Sequence, residues 1–302
     1  MPVNKRFAAV VAALCLSRLA AALPEDTGTL SAESWDAGGL ALSSGDTPTT
    51  VYYPAAATGP FPVVAVVHGA SRNGDYHVTL AQTLASRGFV ALVPSMDCSF
   101  LGCDHAVQAT GVLELFDWAV AESADPDSPI LGLVDGARRG VIGHSWGGLA
   151  VFLAAAGEPA VDAVVCLDPN DDDGVALAAA PTVVAPTLIL RADNSGACNS
   201  LWTGAVYGAV AGAKMTATII GSGHCDPEDP TDFLCPLACG SGDAATTPIF
   251  RRYAVAFMAC ALGVDPAMAE WAGGASYDAD VAGGILIDGA VDGIVCALGA
   301  RP

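Results

Sequence analysis

Apolar and polar positions along this chain fall into blocks long enough to name elements. Residues 61–68 are almost continuously apolar (Val63-Val64-Ala65-Val66-Val67) and stop at Gly69, the pattern of a strand buried on both faces. Residues 76–87 carry apolar side chains at helical spacing, residues 89–93 form a second buried strand, and residues 107–122 predict a helix with Val112, Leu113, Leu115, Phe116 and Val120 at its apolar positions. Further apolar runs predict strands over 161–167, 186–190 and 215–220, helices over 201–210 and 248–262, and an early strand over 49–54. Continuously apolar strands separated by helices predict an α/β fold: one domain with a mostly parallel central sheet and helices on both faces. No internal repeat is visible.

The block between the second helix and the strand at 161–167 carries the chemistry. A short apolar run, Gly140-Val141-Ile142, leads into Gly143-His144-Ser145-Trp146-Gly147, and residues 148–156 then read as a buried helix. Strand, sharp turn and helix in that order push a serine out at the carboxyl end of the strand, and the flanking glycines remove side chains that would clash there. Ser145 is therefore the candidate nucleophile.

Composition narrows the partners. The chain has 302 residues, 53% of them hydrophobic, and 32 acidic against 12 basic residues give a formal charge of −20. No basic cluster is long enough to track a phosphate backbone, so nucleic acid is excluded as a partner, and no glycine-lysine phosphate loop or dinucleotide fingerprint gives a cofactor a home. At the N-terminus Lys5 and Arg6 precede an apolar run over 7–16, and Ala20-Ala21-Ala22 offers small residues before Leu23. That pattern predicts a signal peptide over 1–22 and a secreted protein, extracellular or periplasmic, with no stable membrane insertion.

Nine of the ten cysteines follow residue 22, and in an exported chain they predict disulfides. Cys98 and Cys103 are spaced for one, Cys166 lies in an apolar strand and is the expected free thiol, and Cys296 is expected to tie down the Gly-, Ala- and Asp-rich tail over 263–302, with Cys260 one partner for it. A zinc reading of His224, Cys225, Cys235 and Cys239 is disfavoured by their irregular spacing, and the acidic run Asp171-Asp172-Asp173 reads as a solvated loop before it reads as a calcium site.

Gly59-Pro60-Phe61-Pro62-Val63-Val64 with His68-Gly69, Ala85-Ser86-Arg87-Gly88-Phe89-Val90, the Ser145 turn and Leu167-Asp168-Pro169 together resemble the α/β-hydrolases over residues 48–262. Within them the chain is most similar to the lidless dienelactone-hydrolase-like branch, which includes chlorophyllases, platelet-activating-factor acetylhydrolases and cutinase-like polyester hydrolases. The resemblance implies a domain over 23–262 with no cap, followed by an extension over 263–302. It also implies the chain order nucleophile, acid, histidine, which makes His224 in Gly221-Ser222-Gly223-His224 the expected base. His68 and His144 are expected to shape loops, and His77 and His105 to be structural.

Two aspartates compete for the acid. Asp168 matches the acid position of chlorophyllases and platelet-activating-factor acetylhydrolases and is the expected one. Asp193 is the alternative, near the position that polyester hydrolases use, although those carry their acid two residues later, where this chain has Ser195. The expected oxyanion donors are the N–H groups of Ala70 and Trp146. A residue as small as Ala70 implies an open acyl site, and Trp146 either walls that site or packs on the next loop. The expected function is a secreted, monomeric serine hydrolase cleaving carboxylic esters through an acyl-enzyme, with short acyl esters and polyesters as substrate classes. Chlorophyll is disfavoured, because Trp146 stands where chlorophyllases carry arginine. The competing functions are an inactive binding protein on the same fold and an acyltransferase or peptidase with the same triad.

Overall fold

The computed structural model of the chain describes residues 22–157, 161–171, 174–198 and 204–297. The signal segment expected over 1–22 therefore lies, up to residue 21, outside the described residues, as do Asp172, Asp173 and the first part of the helix expected over 201–210.

Nine strands among the described residues form one sheet: β1 (Ala32–Leu42), β2 (Gly45–Pro54), β3 (Phe61–Val67), β4 (Val90–Pro94), β5 (Val134–His144), β6 (Ala163–Leu167), β7 (Thr187–Asn194), β8 (Lys214–Gly223) and β9 (Leu286–Asp292). Their order is β1-β2-β4-β3-β5-β6-β7-β8-β9. The strands from β4 across to β8 are mutually parallel, while β1, β2 and β9 close the two ends antiparallel. The helices are α1 (Val78–Ser86), α2 (His105–Glu122), α3 (Trp146–Gly157), α4 (Ala176–Ala179), α5 (Gly204–Ala209), α6 (Leu234–Cys239), α7 (Thr247–Ala261) and α8 (Ala275–Ala282).

The unbroken apolar run of β3 has a direct cause. Val64 and Val66 point into a core shared with Leu84 of α1 and Phe257 of α7, whereas Val63, Ala65 and Val67 point into a second core with Phe116 of α2 and Phe152 of α3. Each of these side chains is fully or almost fully buried, and burial of a Val, Leu or Phe is worth about 1.5–3 kcal/mol. Helix α2 starts two residues before the apolar pattern does, because the Asp104 carboxylate accepts from the N–H groups of Ala106 and Val107 and so caps it.

Two strands leave no apolar signature. β1 is exposed or half-buried along its length, and β9 buries only Leu286. The segment after residue 262 thus supplies a helix and the sheet's last strand, and the Cys260–Cys296 disulfide fastens its end to α7. No helix among the described residues is long and apolar enough to cross a membrane.

Candidate active site

β5 ends at His144, and Ser145 turns the chain with a φ of 55° before α3 begins at Trp146. A left-handed non-glycine residue costs roughly 1–2 kcal/mol, so the surroundings must hold it. They do so through backbone bonds: the Ser145 N–H donates to the Leu167 carbonyl over 3.1 Å, and its carbonyl accepts from Gly148 and Asn170. The flanking glycines are required by close approach. A Cβ on Gly143 would lie 2.2 Å from the Gly147 carbonyl oxygen, and one on Gly147 would lie 2.4 Å from that of His68.

Beside this turn the ends of β6 and β8 bring two more residues together. His224 Nε2 lies 3.0 Å from Ser145 Oγ, and His224 Nδ1 lies 2.5 Å from Asp168 Oδ2. All three side chains are buried. With Nδ1–H donating to the carboxylate, Nε2 is left to accept from the serine hydroxyl. Asp168, itself at a φ of 37°, is further satisfied by the Ala192 N–H, which donates to Oδ1 over 2.8 Å, and by the Ser195 hydroxyl, which donates to Oδ2 over 2.7 Å. Asp193 is placed elsewhere. It is exposed, and its carboxylate accepts from the Gly221 N–H over 3.0 Å, bracing the turn before His224.

The other histidines have their own settings. His68 donates from Nδ1 to the Gly69 carbonyl over 2.8 Å and accepts the Met96 N–H at Nε2 over 3.0 Å, which pins the loop leading to Ala70. His144 donates from Nε2 to the His224 carbonyl over 2.7 Å, and its ring lies 4.9 Å from that of His224. Burial holds both His68 and His144 below the ordinary histidine range, and it pushes His77, whose ring nitrogens have no protein partner, down to about 3. His105 packs edge-on against Trp146.

Ser145 opens on a cleft of about 390 Å³. Its lining includes Ala70, Trp146, Phe100, Leu234, Leu237 and the Cys198–Cys239 disulfide. Trp146 is both a wall of this cleft and a packed residue, since Phe100 meets its ring edge-on at 5.6 Å. Phe100 is 66% and Leu237 80% exposed, so the rim is apolar and open.

The cysteines around His224 pair as Cys198–Cys239 and Cys225–Cys235, so although Cys198, Cys239 and His224 sit close enough to share an ion, their sulfurs are not thiolates. Cys98–Cys103 and Cys260–Cys296 are also paired, and Cys166 is free and buried. Asp171 accepts from the N–H groups of Val175 and Ala176 at the start of α4. Sequence reasoning passed over Ser195, whose only signal was that it stands where a carboxylate was expected. It also passed over Arg72 and Glu228, charged residues near the site with no motif around them.

Two comparisons bear on this geometry. A bis(hydroxyethyl) terephthalate hydrolase from Streptomyces coelicolor is 30% identical over 145 residues, covering 48% of this chain and 43% of the relative, so the chain matches less than half the length of that protein. The family model described as PET hydrolase-like matches residues 20–223, more than half of the chain, a stretch that includes Ser145 and Asp168 and ends one residue before His224. The chain belongs to the PET hydrolase-like family of α/β-hydrolases.

Proposed function

We propose that this chain is an exported serine hydrolase that cleaves carboxylic esters of the terephthalate-polyester type, or their short fragments, through an acyl-enzyme on Ser145. The observation that carries the reading is the unbroken line from Ser145 Oγ through the His224 ring to Asp168, opening on an apolar cleft. Family membership and the name of the relative support the substrate class. Four paired disulfides support export. The hydrolase domain is assigned to residues 23–262 and the extension to 263–302.

In this reading Ser145 Oγ attacks the ester carbonyl carbon while its proton passes to His224 Nε2. Asp168 stabilises the imidazolium so formed, and the N–H groups of Ala70 and Trp146 receive the oxyanion, the second from the start of α3. Collapse of the tetrahedral species breaks the bond to the alcohol oxygen, which takes the proton from His224. A water molecule, deprotonated by the same nitrogen, then attacks the acyl carbon, releases the acid and restores Ser145.

The test is hydrolysis of bis(hydroxyethyl) terephthalate and p-nitrophenyl butyrate by the purified chain and by Ser145→Ala. The parent should cleave both, and the variant should lose on the order of a million-fold while melting at the parent temperature. Cleavage of the butyrate alone would remove the substrate assignment, and a variant as active as the parent would remove the mechanism.

A further inference from the structure

Two loops must keep station for this chemistry: the one carrying Ala70 and the one carrying His224. Neither is regular secondary structure, and Ser71, between Ala70 and Arg72, is held at a φ of 56°. One buried ion pair ties them together. Arg72 Nε donates to Glu228 Oε1 over 2.8 Å and Arg72 Nη2 to Glu228 Oε2 over 2.5 Å, a bidentate fork between residues 156 positions apart. The Arg72 side chain is 10% exposed and that of Glu228 is 0%.

The fork is built in on every side. The third guanidinium nitrogen, Nη1, donates to Asp232 Oδ2 over 2.8 Å, and the Tyr76 hydroxyl donates to the same oxygen over 2.8 Å. The Tyr76 ring lies under the guanidinium at 3.5 Å, and the Thr231 hydroxyl donates to Glu228 Oε2 over 2.7 Å. Backbone bonds run alongside, from the Asp229 N–H to the Tyr76 carbonyl and from the Thr79 N–H to the Asp229 carbonyl. On its inner side Glu228 Oε1 stands 3.7 Å from Nδ1 of His144, the residue whose other ring nitrogen donates to the His224 carbonyl.

We infer that Arg72 and Glu228 are positioning residues, a clamp that sets the oxyanion donor at Ala70 at its working distance from His224. The inference rests on the serine-hydrolase reading of the site. Arg72 lies two residues past Ala70 and Glu228 four past His224, and both border the cleft, so each is close enough in the chain to fix its neighbour while its charged groups are taken up by the other. A planar fork fixes direction as well as distance, which a lysine ammonium would not. Displacement of a reacting group by about 1 Å costs on the order of a hundredfold in rate, so a loosened clamp should appear in turnover before it appears in substrate binding.

The experiment uses Arg72→Lys and Glu228→Gln, together with the paired variant Arg72→Met/Glu228→Leu, which removes both buried charges at once and leaves neither unpaired. kcat and KM on p-nitrophenyl butyrate, inhibition by phenylboronic acid, and the melting temperature are measured for each folded variant. The expected result is a kcat about 10- to 100-fold lower with KM within about twofold, phenylboronic acid binding weakened in parallel because its tetrahedral adduct uses the same donors, and no recovery of kcat in the paired variant. Retention of kcat within about twofold in Arg72→Lys, or return of kcat to the parent value in the paired variant, would overturn the clamp. A parent chain that neither hydrolyses the ester nor binds the boronic acid would instead overturn the serine-hydrolase reading on which it rests.

Discussion

The Ser195 hydroxyl donates over 2.7 Å to Oδ2 of Asp168, the same carboxylate oxygen that stands 2.5 Å from His224 Nδ1. Ser195 follows the end of β7 and Asp168 the end of β6, and the two strands are parallel neighbours. The position behind the histidine can therefore be reached from either strand end. Polyester hydrolases resembling this chain carry their acid where Ser195 stands, and here the carboxylate comes from the adjacent strand with a hydroxyl in contact with it.

That relationship makes a relocation experiment informative. Asp168→Asn should lower kcat about ten-thousand-fold, because the amide no longer holds the required tautomer or stabilises the imidazolium. Adding Ser195→Asp should restore at least about tenfold of that loss by returning a carboxylate to the same place from β7. Asp193→Asn should cost less than about tenfold, since that side chain is exposed and braces Gly221. The measurement is kcat on p-nitrophenyl butyrate for the four proteins. A crippled Asp193→Asn beside an active Asp168→Asn would reverse the assignment.

Three of the five buried histidines set an acid limit on stability. Burial holds His68, His77 and His144 below the ordinary value of 6.5, His77 at about 3. Below pH 6.5 the unfolded chain takes up protons that the folded chain refuses, so the stabilisation is complete above about pH 6.5 and is lost as pH falls toward the folded values. Each such histidine contributes a slope of up to about 1.4 kcal/mol per pH unit. Burial also raises the Asp226 and Glu228 carboxyls, which act in the opposite sense, so the histidine contribution is read as the difference between the parent and His77→Leu from about pH 7.5 to about pH 5.5. Denaturant midpoints should fall across that interval, and His77→Leu should flatten the fall. Equal midpoints at both ends would contradict it.

Four disulfides and one buried thiol predict a defined redox response. Reduction should destabilise the chain, each bridge being worth about 2–4 kcal/mol, and the Cys198–Cys239 bridge beside the cleft should contribute within that range. Cys166, buried and with its thiol pushed well above the ordinary range by burial, should react with a thiol reagent only after unfolding. Denaturant midpoints with and without reductant check the first, a lower midpoint being expected on reduction; thiol titration of the unreduced, mature chain before and after guanidinium unfolding checks the second, with one thiol expected and only after unfolding.

How far the sequence could be read follows from what each residue is doing. The inner strands and α1, α2, α3 and α7 were legible because burial on both faces of the sheet forces continuous apolar runs and one-sided helices. β1 and β9 were not, because edge strands with half-exposed faces need no such run. Gly143, Ser145 and Gly147 announce their turn because only glycine tolerates the contacts at 2.2 and 2.4 Å. Which of Asp168 and Asp193 faces His224 was not legible, since both lie at strand ends and differ in which way the chain turns next. Arg72 and Glu228 meet across 156 positions, a distance along which no local pattern operates.

If Ser145 is a nucleophile activated by His224 and Asp168, it should react covalently with an electrophile that ordinary serines ignore. The parent chain is treated with a fluorophosphonate probe, digested and mapped by mass spectrometry, alongside His224→Ala. One adduct on the peptide containing Ser145 is expected in the parent, with labelling slowed at least about a hundredfold in the variant. No adduct, an adduct on another residue, or equal labelling of the variant would show that Ser145 is not a nucleophile activated by His224.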